Sequence, residues 1–229
     1  MITATLCQNE SVKSTWRRLA PCRHRGRALA ALMTACLLST GQSFAQERQV
    51  VSLLEMRHQN VILQKWDLSC GAAALTTLLN YQHGESLTEK EVAVTLMNRP
   101  EYIDQPELIQ IREGFSLLDL KRYAEMRGYK GVGLGKMEMK DLEAKAPLLV
   151  PINVRGYNHF VVFRGTRGNR VLLADPAWGN RTMLKDEFEQ AWINYPTLGR
   201  VGFAVERKAP PHPTFHGLSA SVEDFVMLR

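Results

Sequence analysis

Among the side chains able to form covalent intermediates, Cys70 has the most suggestive setting. It is followed by Gly71 and by an apolar run, residues 72–80, that reads as a buried helix. Ser69 or Asp67 can cap that helix, which puts Cys70 in its first turn. There the unpaired N–H groups and the helix dipole favour a thiolate, and Gly71 leaves the sulfur uncrowded on one side. A small buried hydrophobe is the competing reading of an unpaired cysteine. What separates the two readings is whether a base and a group to orient it are at hand.

Five histidines follow residue 45: His58, His83, His159, His212 and His216. His83 precedes Gly84 in a turn, His58 lies between Arg57 and Gln59, and His212 and His216 fall in a Pro-containing tail, so these four read as solvated. His159 opens the apolar strand Phe160-Val161-Val162-Phe163. If the hairpin that brings that strand back through Asp175-Pro176 is centred on Arg167, His159 stands directly opposite Asp175 on one face; a one-residue change in the turn would offset them. A carboxylate there would hold the imidazole tautomer and stabilise its charged form. Gln64, six residues before Cys70, offers an amide that could join the Cys70 N–H in holding an oxyanion.

The elements that must position these groups divide the chain in two. Helices are expected over 72–80, over 88–97 with Thr88 and Glu91 as a capping box, from 117 to Gly128 after Ser116, over 139–145 before Pro147, and over 185–193. Strands are expected over 148–154, 158–164, 170–174 and 200–206, rich in β-branched and aromatic residues. Helices followed mainly by strands predict an α+β fold, a helical first half packed on an antiparallel sheet. Residues 50–62 read as a polar and apolar lead-in to this region. Trp66 and Trp178 read as core residues, with a substrate cleft as the alternative.

Charge and cysteine placement bound the compartment and partners. The formal net charge is +6, but Lys13, Arg17, Arg18, Arg23, Arg25 and Arg27 face only Glu10 in the first 45 residues. The remainder is nearly neutral, without the basic face that nucleic-acid binding normally needs. The basic stretch, the apolar run 28–38 and Ser43-Phe44-Ala45 predict an export signal cleaved before Gln46, with an uncleaved membrane anchor as the alternative. The run is too short to span a bilayer, which takes about 20 residues. Cys7, Cys22 and Cys36 all lie in this leader, so cleavage would leave Cys70 as the only thiol. The expected organisation is a signal peptide at 1–45, a globular domain at 46–208 and a loose or weakly docked tail at 209–229.

The ordered set Gln64-Lys65-Trp66-Asp67-Leu68-Ser69-Cys70-Gly71, Asn158-His159-Phe160-Val161-Val162 and Asp175-Pro176 resembles the bacteriocin-processing, double-glycine-type cysteine peptidase domain of the papain-like clan. The resemblance covers roughly residues 60–205. It implies a papain-like α+β fold in which Cys70 is the nucleophile, His159 the base, Asp175 its orienting carboxylate and Gln64 an oxyanion donor, with no metal or organic cofactor. Many such domains belong to membrane-bound ABC exporters. This sequence, with an export signal and neither an ATPase motif nor spanning segments, looks more like the free-standing periplasmic members that accompany secretion of bacterial functional amyloid (Fap).

The function implied is a periplasmic cysteine endopeptidase. Its substrate would be an exported peptide or protein, an amyloid or leader-bearing peptide among the candidates, with a secretion-channel component as a further partner. Two alternatives use the same residues. One is a catalytically silent module that binds an export substrate or channel; the other is acyl transfer to an amine instead of water.

Overall fold

The computed structural model describes residues 52–207 together with Gly217, Leu218 and Phe225. The expected export signal, with Cys7, Cys22 and Cys36, and His212 and His216 lie outside the described residues.

Helix α1 (Leu53–His58) starts at a Ser52–Glu55 capping box. Helix α2 (Cys70–Thr77) is buried along its whole length and continues as a π turn, Leu78–Gln82. Three helices follow, α3 (Glu89–Met97), α4 (Pro100–Asp104) and α5 (Leu108–Ile111), and then α6 (Leu117–Met126). The Thr88–Glu91 capping box expected for α3 is present, and Ser116 caps α6. Strand β1 (Lys130–Leu134) and helix α7 (Met139–Lys145) lead into β2 (Leu148–Val154), β3 (Tyr157–Arg167), β4 (Arg170–Asp175) and β5 (Gly179–Leu184). Helix α8 (Lys185–Ala191), a two-residue ribbon of β6 (Asn194–Tyr195) with β7 (Gly199–Arg200), and β8 (Gly202–Glu206) complete the order.

Six strands pair antiparallel in the order β1-β8-β2-β3-β4-β5. Strand alternation sends Leu149, Val162, Ala174 and Phe203 to one side, where they pack with Leu75, Val92 and Leu120 of α2, α3 and α6. Leu148, Val150, Val161, Phe163 and Leu173 face the other side and pack with Leu142 of α7 and Phe188 of α8. The sheet is therefore covered on both faces, and the α+β expectation holds.

The hairpin register differs from the expected one. Arg167 pairs with Arg170 across a two-residue loop, and Arg164 is an extra residue where the pairing steps from Gly165↔Leu172 to Phe163↔Leu173. With Val162 opposite Ala174, His159 and Asp175 are offset by two residues instead of directly opposed. The bulge is what keeps them on one face: carried without it, the register set by the turn would put their side chains on opposite faces.

Two elements absent from the sequence reading, β1 and β5, contain glycines that permit close approach. A Cβ on Gly131 would lie 2.9 Å from the Lys121 side chain, so α6 packs tightly over β1. Gly179 combines φ +79° with a position where a Cβ would lie 2.3 Å from the Arg57 carbonyl oxygen, so α1 rests directly on the start of β5.

Candidate active site

Cys70 opens α2 and is buried with its helix. Ser69 occupies the N-cap position, but its side chain makes no cap hydrogen bond. Its hydroxyl instead lies 2.7 Å from the Trp66 carbonyl oxygen and 2.5 Å from Glu89 Oε1. The cap position expected from sequence is correct and the bonding is not, because a buried carboxylate competes for the hydroxyl.

His159 and Asp175 meet. His159 Nε2 is 2.7 Å from Asp175 Oδ1, with the imidazole 6% exposed and the carboxylate fully buried. Burial pulls the imidazole down. The bond to Asp175 and the neighbouring Cys70 side chain outweigh it and push His159 from the ordinary 6.5 up to about 9. Nδ1 is buried with no hydrogen-bond partner among the described residues and so is the ring nitrogen free to serve the thiol. The arrangement can hold a protonated imidazole beside the sulfur at neutral pH.

Asp175 is organised by two further groups. Its Oδ1 also accepts the Ala177 N–H at 2.9 Å, and its Oδ2 accepts Arg181 Nε at 2.6 Å. Burial works to raise this carboxyl, but the His159 bond and charge, then Arg181 and the Ala177 N–H, hold it below the ordinary 3.8. Sequence reasoning missed Arg181. Its only signal is placement on β5, opposite Leu173 and two residues beyond the Asp175↔Gly179 pair, and that pairing is invisible until the 175–179 turn is known.

Gln64 is tied to the same turn, its N–H donating to the Pro176 carbonyl at 2.8 Å. Its side-chain Nε2 reaches the Trp66 carbonyl at 3.3 Å, and its Oε1 is buried without a partner among the described residues. The segment before the thiol is thus joined directly to the turn that carries the carboxylate.

Two expectations around the site are corrected. Trp66 and Trp178 are exposed, at 46% and 64%, and not core residues. Trp66 lines an apolar cavity of about 430 Å³ with Leu68, Val94, Met97, Ile109 and Phe115. A second cavity of about 290 Å³ is bordered by His159, Asn158, Glu113, Tyr195 and again Phe115. His83 is buried, not solvated: Nε2 lies 3.0 Å from the Val205 carbonyl oxygen, and Arg207 Nε donates to Nδ1 at 3.3 Å. Burial lowers its pKa, so it stays a neutral core histidine.

Comparison with known proteins gives a consistent family. Residues 58–198 match the peptidase C39 family. The chain is 37% identical over 171 residues to the probable functional amyloid protease FapD of Pseudomonas aeruginosa (strain PAO1), covering 72% of this chain and 73% of that protein. It is 34% identical over 154 residues to the probable functional amyloid protease FapD of Pseudomonas fluorescens, covering 66% of each. Among solved structures, it superposes with a TM-score of 0.51 on a double glycine motif protease from an AMS/PCAT transporter in complex with the leader peptide. That match has 24% identity and covers 65% of this chain and 91% of the other. The peptidase domain of Streptococcus ComA, a bifunctional ABC transporter of a quorum sensing pathway, gives a TM-score of 0.51 at 17% identity, over 66% of this chain and 100% of that domain. These two likenesses establish a shared fold.

Proposed function

Because this chain belongs to the peptidase C39 family and is a cysteine peptidase, we propose that Cys70, His159, Asp175 and Gln64 carry its reaction and that its substrate is an exported polypeptide. The observation that carries the assignment is the buried 2.7 Å bond between His159 and Asp175, on an imidazole that also responds to Cys70.

In this reading the Cys70 sulfur attacks a peptide carbonyl carbon, forming a C–S bond as the carbonyl π electrons move onto oxygen. The Cys70 N–H and the Gln64 amide donate to that oxygen. Collapse breaks the C–N bond, and the leaving amine takes the proton held by His159. Water, deprotonated by the now neutral His159, attacks the thioester and releases the acid product, restoring the thiolate and imidazolium. Asp175 keeps the imidazole oriented throughout, and Arg181 and the Ala177 N–H keep Asp175 in place.

The apolar cavity beside Trp66 and the cavity beside His159 share Phe115, which supports an extended peptide as the ligand. The relatives named as functional amyloid proteases support an exported amyloid component as the substrate, and the likeness to a protease bound to a leader peptide supports a leader-bearing peptide as the second candidate. The basic and apolar leader supports a periplasmic site of action, with the signal removed after residue 45. Among the described residues no helix is long and apolar enough to cross a membrane.

The test is to incubate the purified protein and its Cys70→Ala variant with the exported proteins encoded beside it and map new termini by mass spectrometry. New termini with the wild type alone are expected. The same termini with Cys70→Ala would remove Cys70 from the reaction, and none with either would remove those proteins as substrates.

A further inference from the structure

Glu89 is a buried acid that the mechanism above does not use. It begins α3, is 3% exposed, and pairs with no Lys or Arg among the described residues. A buried carboxylate without a cation is costly unless hydrogen bonds satisfy it. Here they come from one short segment: the Lys65 N–H lies 3.0 Å from each carboxylate oxygen, and the Ser69 Oγ lies 2.5 Å from Oε1.

The two attachment points are significant for what adjoins them. Lys65 follows Gln64, and Ser69 precedes Cys70. The intervening turn contains Leu68 at φ +65°, a left-handed conformation that a branched residue does not favour, so the turn needs external restraint. The Gln64 side-chain amide donates to the Trp66 carbonyl oxygen, and the Ser69 hydroxyl, its one proton shared between Glu89 and that same oxygen, lies 2.7 Å from it. On its far side, Gln64 is anchored to Pro176.

We propose that Glu89 is a positioning residue: by clamping Lys65 and Ser69 together, its carboxylate sets the separation of the two N–H donors that hold the oxyanion. The inference rests on the reading that Gln64 and the Cys70 N–H are those donors. It extends the site to a group on a different helix, one that touches neither substrate nor sulfur.

The test compares two reactions of Cys70 in the intact protein, each corrected with Cys70→Ala. Acylation by p-nitrophenyl acetate passes through an oxyanion: sulfur bonds to the carbonyl carbon and nitrophenolate leaves. Alkylation by iodoacetamide forms a C–S bond at a saturated carbon and expels iodide, so it needs no oxyanion donor. Glu89→Ala is expected to slow acylation about 100-fold, the scale for a donor lost or displaced, while alkylation stays within about threefold. Glu89→Gln should recover most of the lost rate, because its amide can accept from Lys65 N–H and donate to Ser69 Oγ. Ser69→Ala, which removes one arm of the clamp and little volume, should slow acylation about tenfold and decides the matter should Glu89→Ala fail to fold. Parallel losses in acylation and alkylation, wild-type acylation in both the Glu89→Ala and Ser69→Ala variants, or no recovery in Glu89→Gln would overturn the proposal. Unchanged acylation in Gln64→Ala is a separate result that would overturn the oxyanion assignment beneath it.

Discussion

Asp175 accepts hydrogen bonds from His159, Ala177 and Arg181, and this arrangement determines how the site should titrate. On the proposed mechanism His159, raised to about 9, is the proton donor to the leaving amine, so kcat/KM for a cleaved peptide is expected to fall as pH rises through about 9. In Asp175→Asn the main raising partner is lost and burial dominates. The alkaline limb should then move at least one pH unit lower, with kcat reduced roughly 10²–10⁴-fold, the scale seen when a triad carboxylate is removed. A pH–rate profile of both proteins checks this. The pair also contributes to stability. The His159 part is complete below 6.5 and lost as pH rises through about 9; the Asp175 part is present above 3.8 and lost as pH falls through its lower folded value. Arg181→Leu raises that folded value. Its stability deficit against wild type should be widest near neutrality and close on acidification, as measured by urea unfolding at several pH values.

At the level of elements, local signals were legible and pairing was not. The Thr88–Glu91 box opens α3 as its spacing requires, with the Glu91 N–H donating to Thr88 Oγ1 at 3.2 Å. Thr88→Ala is expected to cost about 1 kcal/mol in chemical unfolding. The strand 148–154 and helix 139–145 were legible to the residue from apolar alternation and the following Pro147. Strand β1 was hidden because Lys-Gly-Val-Gly-Leu has no side chain at Gly131, where α6 packs, and β5 because it is largely polar. Short helices α1, α4 and α5 bury at most one residue each and carry too little periodicity to read. For the candidate site, Cys70, His159, Asp175 and Gln64 are singled out by residue type, order and spacing, and the structure brings His159 and Asp175 together. Arg181 and Glu89 are not singled out, since each reaches the site through tertiary pairing. The Arg164 bulge shows why register exceeds sequence reading: one unpaired residue decides whether His159 and Asp175 share a face.

Across the whole molecule, the sheet carries His159 and Asp175 while α2 carries Cys70, so the packing of α2 on β3 assembles the site. Residues near the C-terminus take part in this packing. Leu218 is buried in the cluster with α2 and donates its N–H to Gln82 Oε1 at 2.7 Å. The Phe225 ring is buried with the Arg164 guanidinium 5.0 Å from its centre. Of the two readings of the tail, loose or weakly docked, the contacts of Leu218 and Phe225 fit the docked one. Ending the chain at residue 208 should cost about 2–5 kcal/mol, the scale for two large apolar side chains, and lower the thermal midpoint.

The most direct measurement is a rapid acid quench of the enzyme during cleavage of an exported polypeptide, followed by mass analysis of the peptide containing Cys70. A thioester bearing the substrate fragment on its acyl side is expected on the Cys70 sulfur, decaying as the free fragment appears. Cleavage products accumulating with no acyl group ever found on Cys70, at times when its formation is faster than its decay, would contradict the account.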